Sequence, residues 1–200
     1  MDSEDFEIRK IHIKNFYIPI MRITLLSIAL FCVFGNAFAQ MLPGAKPVAT
    51  HMADSTGKPL LMDFNIKLTG IKDANMPYSV FSQRPLMLYY FSPFCPHCQK
   101  SYPSIQQVAK EYEQKGLASI AVSVGNVGKR DIMMFMEQYK AAIPFFQDSE
   151  QEFAKKYGDG YVPRLYLISP DGKVTRYTAL EQDNLKDIKA DIEKLPGISK

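Results

Sequence analysis

Two thiols separated by two residues, in Cys95-Pro96-His97-Cys98, are the groups in this chain best suited to chemistry. A disulfide between them closes so short a loop that it constrains the unfolded chain very little, so reactivity explains the pair better than stapling does. The flanking residues say where the pair sits. Residues 85–91 are a continuous apolar run that reads as a central strand covered on both faces, and Pro96 fits the first turn of a helix, where its missing N–H is not needed. A thiol at a helix N-terminus faces unpaired backbone donors and the positive end of the helix dipole, both of which favour thiolate. Cys95 is therefore expected to be the nucleophile, with protonated His97 pushing the same way. Cys98, one helical turn further in and more buried, is the resolving thiol. The Cys95 thiolate would attack a partner's disulfide, form a mixed disulfide, and be released when Cys98 attacks it, a path that also runs in reverse and needs no bound cofactor.

The elements that must hold this pair are legible around it. The alternation of Met62, Phe64, Ile66 and Leu68 with Asp63, Asn65 and Lys67 predicts a strand with one buried face. A helix is expected from Pro96 to about Lys115, closed by Gly116, then a buried strand over residues 117–124. Ile132, Phe135, Met136 and Tyr139 recur at helical spacing, and a short helix is expected over residues 150–157. Residues 164–169 and 174–180 read as strands joined in a hairpin by Pro170-Asp171-Gly172-Lys173, and a last helix runs over residues 183–194. This order predicts an α/β fold with a central mixed sheet and helices on both faces.

With the motif placed at a strand-to-helix junction, residues 60–195 resemble the thioredoxin superfamily, a three-layer sandwich. The family's helix proline, five residues after the second cysteine, matches Pro103, and its cis-proline loop, which faces the redox pair, looks like Tyr161-Val162-Pro163. The resemblance implies that Val162 and Pro163 border the bound partner; Phe94, by its place beside Cys95, is expected to be exposed and to help hold it. Phe145-Phe146-Gln147-Asp148 and residues 166–172 look most like the exported TlpA and ResA branch. Pro96-His97 instead resembles the oxidase DsbA, although residues 99–162 leave no room for the helical domain that DsbA inserts there. The direction of electron flow stays open. One position departs from the pattern: many members carry a buried acid six residues before the first cysteine, where this chain has Tyr89, so proton transfer to or from Cys98 must use water or another group.

The same residues bear on competing chemistries. Haem attachment requires histidine directly after Cys98, where Gln99 stands, and a structural zinc site needs two more ligands near the pair. A peroxidase of the related thiol family would carry its motif proline where Leu88 stands. Met133, Met134 and Met136 suggest a soft copper site, but helical spacing puts Met136 on the core face, where packing accounts for it. His51 reads as surface. No metal is expected, and the alternative from another class is a copper-binding chaperone using Cys95 and Cys98 as ligands.

The chain has 200 residues, 46% of them apolar, enough for one ordinary core, and its 24 basic and 21 acidic residues give a charge of +3 with no basic cluster, which argues against a nucleic-acid partner. Residues 23–34 are an apolar run after Arg22 and before Ala37-Phe38-Ala39, the pattern of a signal peptide cut near Ala39, with a retained membrane anchor as the competing reading. Cys32 would leave with that leader. The acidic residues Asp2, Glu4, Asp5 and Glu7 suit a leader's start poorly, which points to Met21 as the first residue. The expected organisation is therefore an extension and leader over 1–39, an irregular lead-in over 40–59, and one domain over 60–200. The product would be periplasmic or otherwise exported, acting on protein thiols and disulfides with a membrane-bound redox partner, in an oligomeric state the sequence does not specify.

Overall fold

The computed structural model describes residues 49–73 and 76–200. The leader, its cleavage near Ala39 and the start at Met21 lie outside the described residues. Among the described residues, seven strands form one mixed sheet: β1 (Thr50–His51), β2 (Thr69–Gly70), β3 (Leu86–Phe91), β4 (Ala118–Ser123), β5 (Phe145–Gln147), β6 (Arg164–Ile168) and β7 (Val174–Tyr177). Their spatial order is β1-β7-β6-β3-β4-β5-β2. The central strand β3 runs parallel to β4 and antiparallel to β6, and β6 pairs with β7 as the expected hairpin.

All six residues of β3 are buried. The pleat divides them: Met87, Tyr89 and Phe91 enter one core, and Leu86, Leu88 and Tyr90 enter the other. Helix α1 (Pro96–Glu113) covers the first face by burying Cys98, Tyr102, Ile105, Ala109 and Tyr112, spaced three or four apart. Helices α2 (Lys129–Gln138) and α4 (Leu185–Ile192) join it there through Ile132, Phe135 and Met136 and through Leu185, Ile188 and Ile192. Helix α3 (Glu152–Tyr157) covers the opposite face with Phe153 and Tyr157, helped by Met62, Ile66, Tyr78 and Phe81 from the chain before β3. The result is the three-layer α/β sandwich with helices on both faces. Beyond α1, Gly116 adopts φ 104°, a left-handed conformation that glycine alone takes readily, and turns the chain into β4.

Three stretches differ from the sequence reading. Residues 62–68 are not a strand, although Met62, Ile66 and Leu68 are buried as the alternation demands. The Asp63 carboxylate accepts the Asn65 N–H (3.0 Å), making a local turn, while the Asp63 N–H goes to the Tyr157 hydroxyl (2.7 Å) and the Lys67 N–H to Glu152 (3.0 Å). Side chains thus satisfy backbone donors that a ladder would have used. In the lead-in, Thr50–His51 pairs antiparallel with β7, so part of a stretch read as irregular belongs to the sheet. Residues 145–147 form β5, parallel to β4, a strand too short to show a period.

Candidate redox site

Strand β3 ends at Phe91, and four residues later Cys95 caps α1 with extended backbone (φ −81°, ψ 118°). The Cys95 carbonyl accepts the Gln99 N–H at 3.0 Å, the first bond of the helix. The Cys95 sulfur receives the Cys98 N–H at 3.4 Å, one of the donors that a helix start leaves unpaired. On its other side the thiol points to the Val162 carbonyl, 3.7 Å away. Cys95 is half-buried, whereas Cys98 is wholly buried; both are free thiols. Pro96 and His97 are exposed between them.

Burial pushes the Cys98 thiol up to about 12, opposed by a backbone hydrogen bond from Ser92 and a side-chain hydrogen bond from Tyr89, and reinforced by Cys95. The Tyr89 hydroxyl is fully buried beneath the helix, where it donates to the Cys98 carbonyl at 3.0 Å and shares a hydrogen bond with the Ser101 hydroxyl at 2.9 Å. Ser101 also reaches the His97 carbonyl at 2.9 Å. Burial, and then the neighbouring Cys98 sulfur, raise the Tyr89 pKa well above the ordinary phenol value. Tyr89 thus occupies the place under the redox helix where the sequence shows no acid.

The peptide bond between Val162 and Pro163 is cis. Arg164 holds this loop from behind: its guanidinium donates to the Pro163 carbonyl at 2.8 Å, pairs with Asp159 at 3.0 Å, and lies over the Tyr161 ring at 5.5 Å. Between loop and helix lies a cavity of about 550 Å³ lined by His97, Ser101, Val162, Pro163, Arg164 and Leu180. Tyr161 (71% exposed) borders this cavity, and Phe94 (65% exposed) stands next to Cys95 in the chain, two large uncovered rings.

The structure therefore gathers Cys95, Pro96, His97, Cys98, Phe94, Val162 and Pro163 at one end of the sheet. His51 lies elsewhere, on β1, bonded to Thr175 at 2.9 Å. Met133 and Met134 are exposed and Met136 is buried in the core, and among the described residues no three His, Cys, Asp or Glu side chains gather as a metal site would need. Sequence reading singled out Tyr89 as a missing acid in the central strand, named Tyr161 only as part of the proline loop, and passed over Ser101 and the Asp159–Arg164 pair. The arginine beside Pro163 was the available signal for that pair.

The Redoxin family profile matches residues 56–192. The thiol-disulfide oxidoreductase ResA of Bacillus subtilis (strain 168) is 24% identical over 149 residues, covering 74% of this chain and 78% of that protein. ResA of Oceanobacillus iheyensis is 26% identical over 134 residues, covering 65% and 69%. Among solved structures, a secreted Mycobacterium tuberculosis disulfide oxidoreductase homologous to E. coli DsbE superposes with TM-score 0.55 at 20% identity, over 62% of this chain and 93% of that one. A thiol-disulfide isomerase from Corynebacterium glutamicum gives 0.58 at 13% identity, over 68% and 97%. At such identities the superpositions speak for the fold.

Proposed function

Since this chain belongs to the Redoxin family, we propose that it is a thiol-disulfide oxidoreductase that exchanges disulfides with partner proteins through Cys95 and Cys98. The observation that carries this reading is the asymmetry of the pair. Cys95 is partly open, capped by a backbone N–H and faced by the Val162 carbonyl, while Cys98 is sealed behind it. Only Cys95 can meet a partner's disulfide.

In the reducing direction, the Cys95 thiolate attacks one sulfur of that disulfide, joins it, and expels the other as a thiolate. Cys98, deprotonated, then attacks the Cys95 sulfur; the internal disulfide forms and the second partner thiolate leaves with the electron pair. Two electrons pass from the pair to the partner, and oxidation of a dithiol reverses each step. His97 stands exposed between the two cysteines, placed to tune the pair. Phe94 and Tyr161 supply apolar contact, and the Val162 carbonyl and the neighbouring backbone offer an extended partner segment a place to pair. The reduction potential of the pair against its partners sets the direction of net flow.

The ResA relatives carry the same activity in their names, and the leader pattern over residues 23–39 supports an exported protein; a membrane-bound redox partner is part of this proposal. Among the described residues no helix is long and apolar enough to cross a membrane. The copper-chaperone alternative gains no third ligand beside the cysteines among the described residues. Replacing Cys98 with Ala tests the central claim: a mixed disulfide at Cys95 then has no internal thiol to release it. Non-reducing gels of the native host should show covalent complexes that vanish with reductant and with the added Cys95→Ala change. Their absence at native expression would overturn the reading.

A further inference from the structure

If Cys98 is the resolving thiol, as the proposed function holds, its proton must leave a fully buried site each time a partner is released. A sulfur held at about 12 is almost entirely protonated near neutral pH. Among the described residues the titratable groups acting on it are Cys95 on its own helix and Tyr89 from β3 beneath; no carboxylate is among them. Tyr89 cannot serve as a phenolate base, because burial and the Cys98 sulfur keep its own hydroxyl protonated.

The geometry shows a way out. The Tyr89 hydroxyl donates to the Cys98 carbonyl at 3.0 Å, which seats it against that residue, and lies 2.9 Å from the Ser101 hydroxyl. Ser101 in turn lines the open cavity beside Pro163. A hydroxyl is donor and acceptor at once, so two in series can each take one proton and give up another. We propose that Tyr89 and Ser101 form a proton relay that carries the Cys98 proton to the solvent of this cavity, with Tyr89 as a catalytic residue.

The balance closes at each step. The Cys98 proton passes to the Tyr89 oxygen, the Tyr89 proton to the Ser101 oxygen, and the Ser101 proton to solvent, leaving both hydroxyls neutral. The Cys98 thiolate attacks the Cys95 sulfur. The bond between the two cysteine sulfurs forms, the bond from Cys95 to the partner breaks, and the partner thiolate takes up a proton from solvent. The Tyr89 ring is held independently of its hydroxyl, with Phe91 stacked at 5.7 Å and Tyr102 at 5.8 Å. Tyr89→Phe therefore removes the oxygen and keeps the packing.

A symmetric aromatic disulfide that liberates a coloured thiolate separates the two steps on the whole protein. The first thiolate reports attack by Cys95, and the second reports release by Cys98. In Tyr89→Phe the first phase should keep the wild-type rate. The second should slow by on the order of tenfold or more near neutral pH and then rise about tenfold per pH unit, as expected when a general acid–base path is replaced by hydroxide. Ser101→Ala should slow the second phase in the same sense, Ser101→Thr should restore it, and imidazole in the buffer should speed the variants more than the wild type. A purely structural tie from Tyr89 to the Cys98 carbonyl would lower stability and leave that pH profile alone. Second phases in Tyr89→Phe and Ser101→Ala with the wild-type rate and profile overturn the relay. Should Tyr89→Phe not fold, the Ser101 variants decide. Cys98→Ala must yield one thiolate only; a second one would sink the proposed roles of the cysteines, an outcome separate from failure of the relay.

Discussion

Tyr89 and Tyr90 are neighbours on β3, both buried, and the pleat sends their hydroxyls to opposite faces of the sheet. On the α1 side, the Tyr89 hydroxyl meets a carbonyl and a second hydroxyl, partners among which its proton can be redistributed. On the α3 side, the Tyr90 hydroxyl donates at 3.3 Å to Asp148, a buried carboxylate that also accepts the N–H groups of Phe153 (3.1 Å) and Ala154 (2.9 Å) at the start of α3. The tyrosine O–H and both backbone N–H groups point at the same carboxyl group, so each of these protons has one place to be. The contrast teaches that one strand can present a rearrangeable polar group to the reacting thiols and a fixed one to the scaffold. Residue type does not distinguish them; the partner does.

The sharpest way to break this comparison is to cut the fixed side. Asp148→Ala strands three donors, two of them buried, and should cost about 3 kcal/mol of stability in urea unfolding, given about 1–3 kcal/mol for each unsatisfied buried group. Below its melting range the variant should still exchange disulfides at the wild-type rate; a parallel loss of exchange would show that the two faces are coupled. A smaller effect probes the reactive side. Cys98 keeps its proton in the folded state up to about 12 against an ordinary 9.0, so its contribution to stability is fully present below about pH 9 and is lost as pH rises towards 12. The loss should approach about 1.4 kcal/mol per pH unit, measured best between pH 9 and 10, before most tyrosines of the unfolded chain titrate. It should appear in the dithiol protein and be missing in both the disulfide form and Cys98→Ala. The smallest effect sharpens the pair itself: Tyr90→Phe should cost about 1 kcal/mol and leave release from the mixed disulfide unchanged, opposite to the outcome expected for Tyr89→Phe.

Where local chemistry dictates local structure, the sequence was a sufficient guide. Pro96 and the spacing of Cys98, Tyr102 and Ile105 mark α1, the unbroken apolar run marks β3, and Pro170-Asp171-Gly172-Lys173 marks the hairpin of β6 and β7. The cysteine pair at their junction follows from the same signals. Residues 62–68 misled because period two reports which side chains are buried, and a turn held by Asp63 buries the same ones. Strand β5 escaped because Phe145–Gln147 is shorter than any window in which alternation can be seen. The hydroxyl pair was invisible for another reason. Tyr89 and Ser101 are 12 residues apart, on a strand and a helix, and only the packing of α1 on β3 makes them neighbours.

The short strands at the margins of the sheet bear on how such a protein survives its own work. Among the described residues, both outermost strands, Thr50–His51 and Thr69–Gly70, are two residues long. A long, flat outer strand offers a row of open N–H and C=O groups to any unfolded chain that drifts past. On the proposed function, a partner joined to Cys95 by a mixed disulfide is held close for the lifetime of each complex. With margins this brief, the clasped chain finds almost no ladder to extend, so the sulfur bond can hold it without seeding an aggregate.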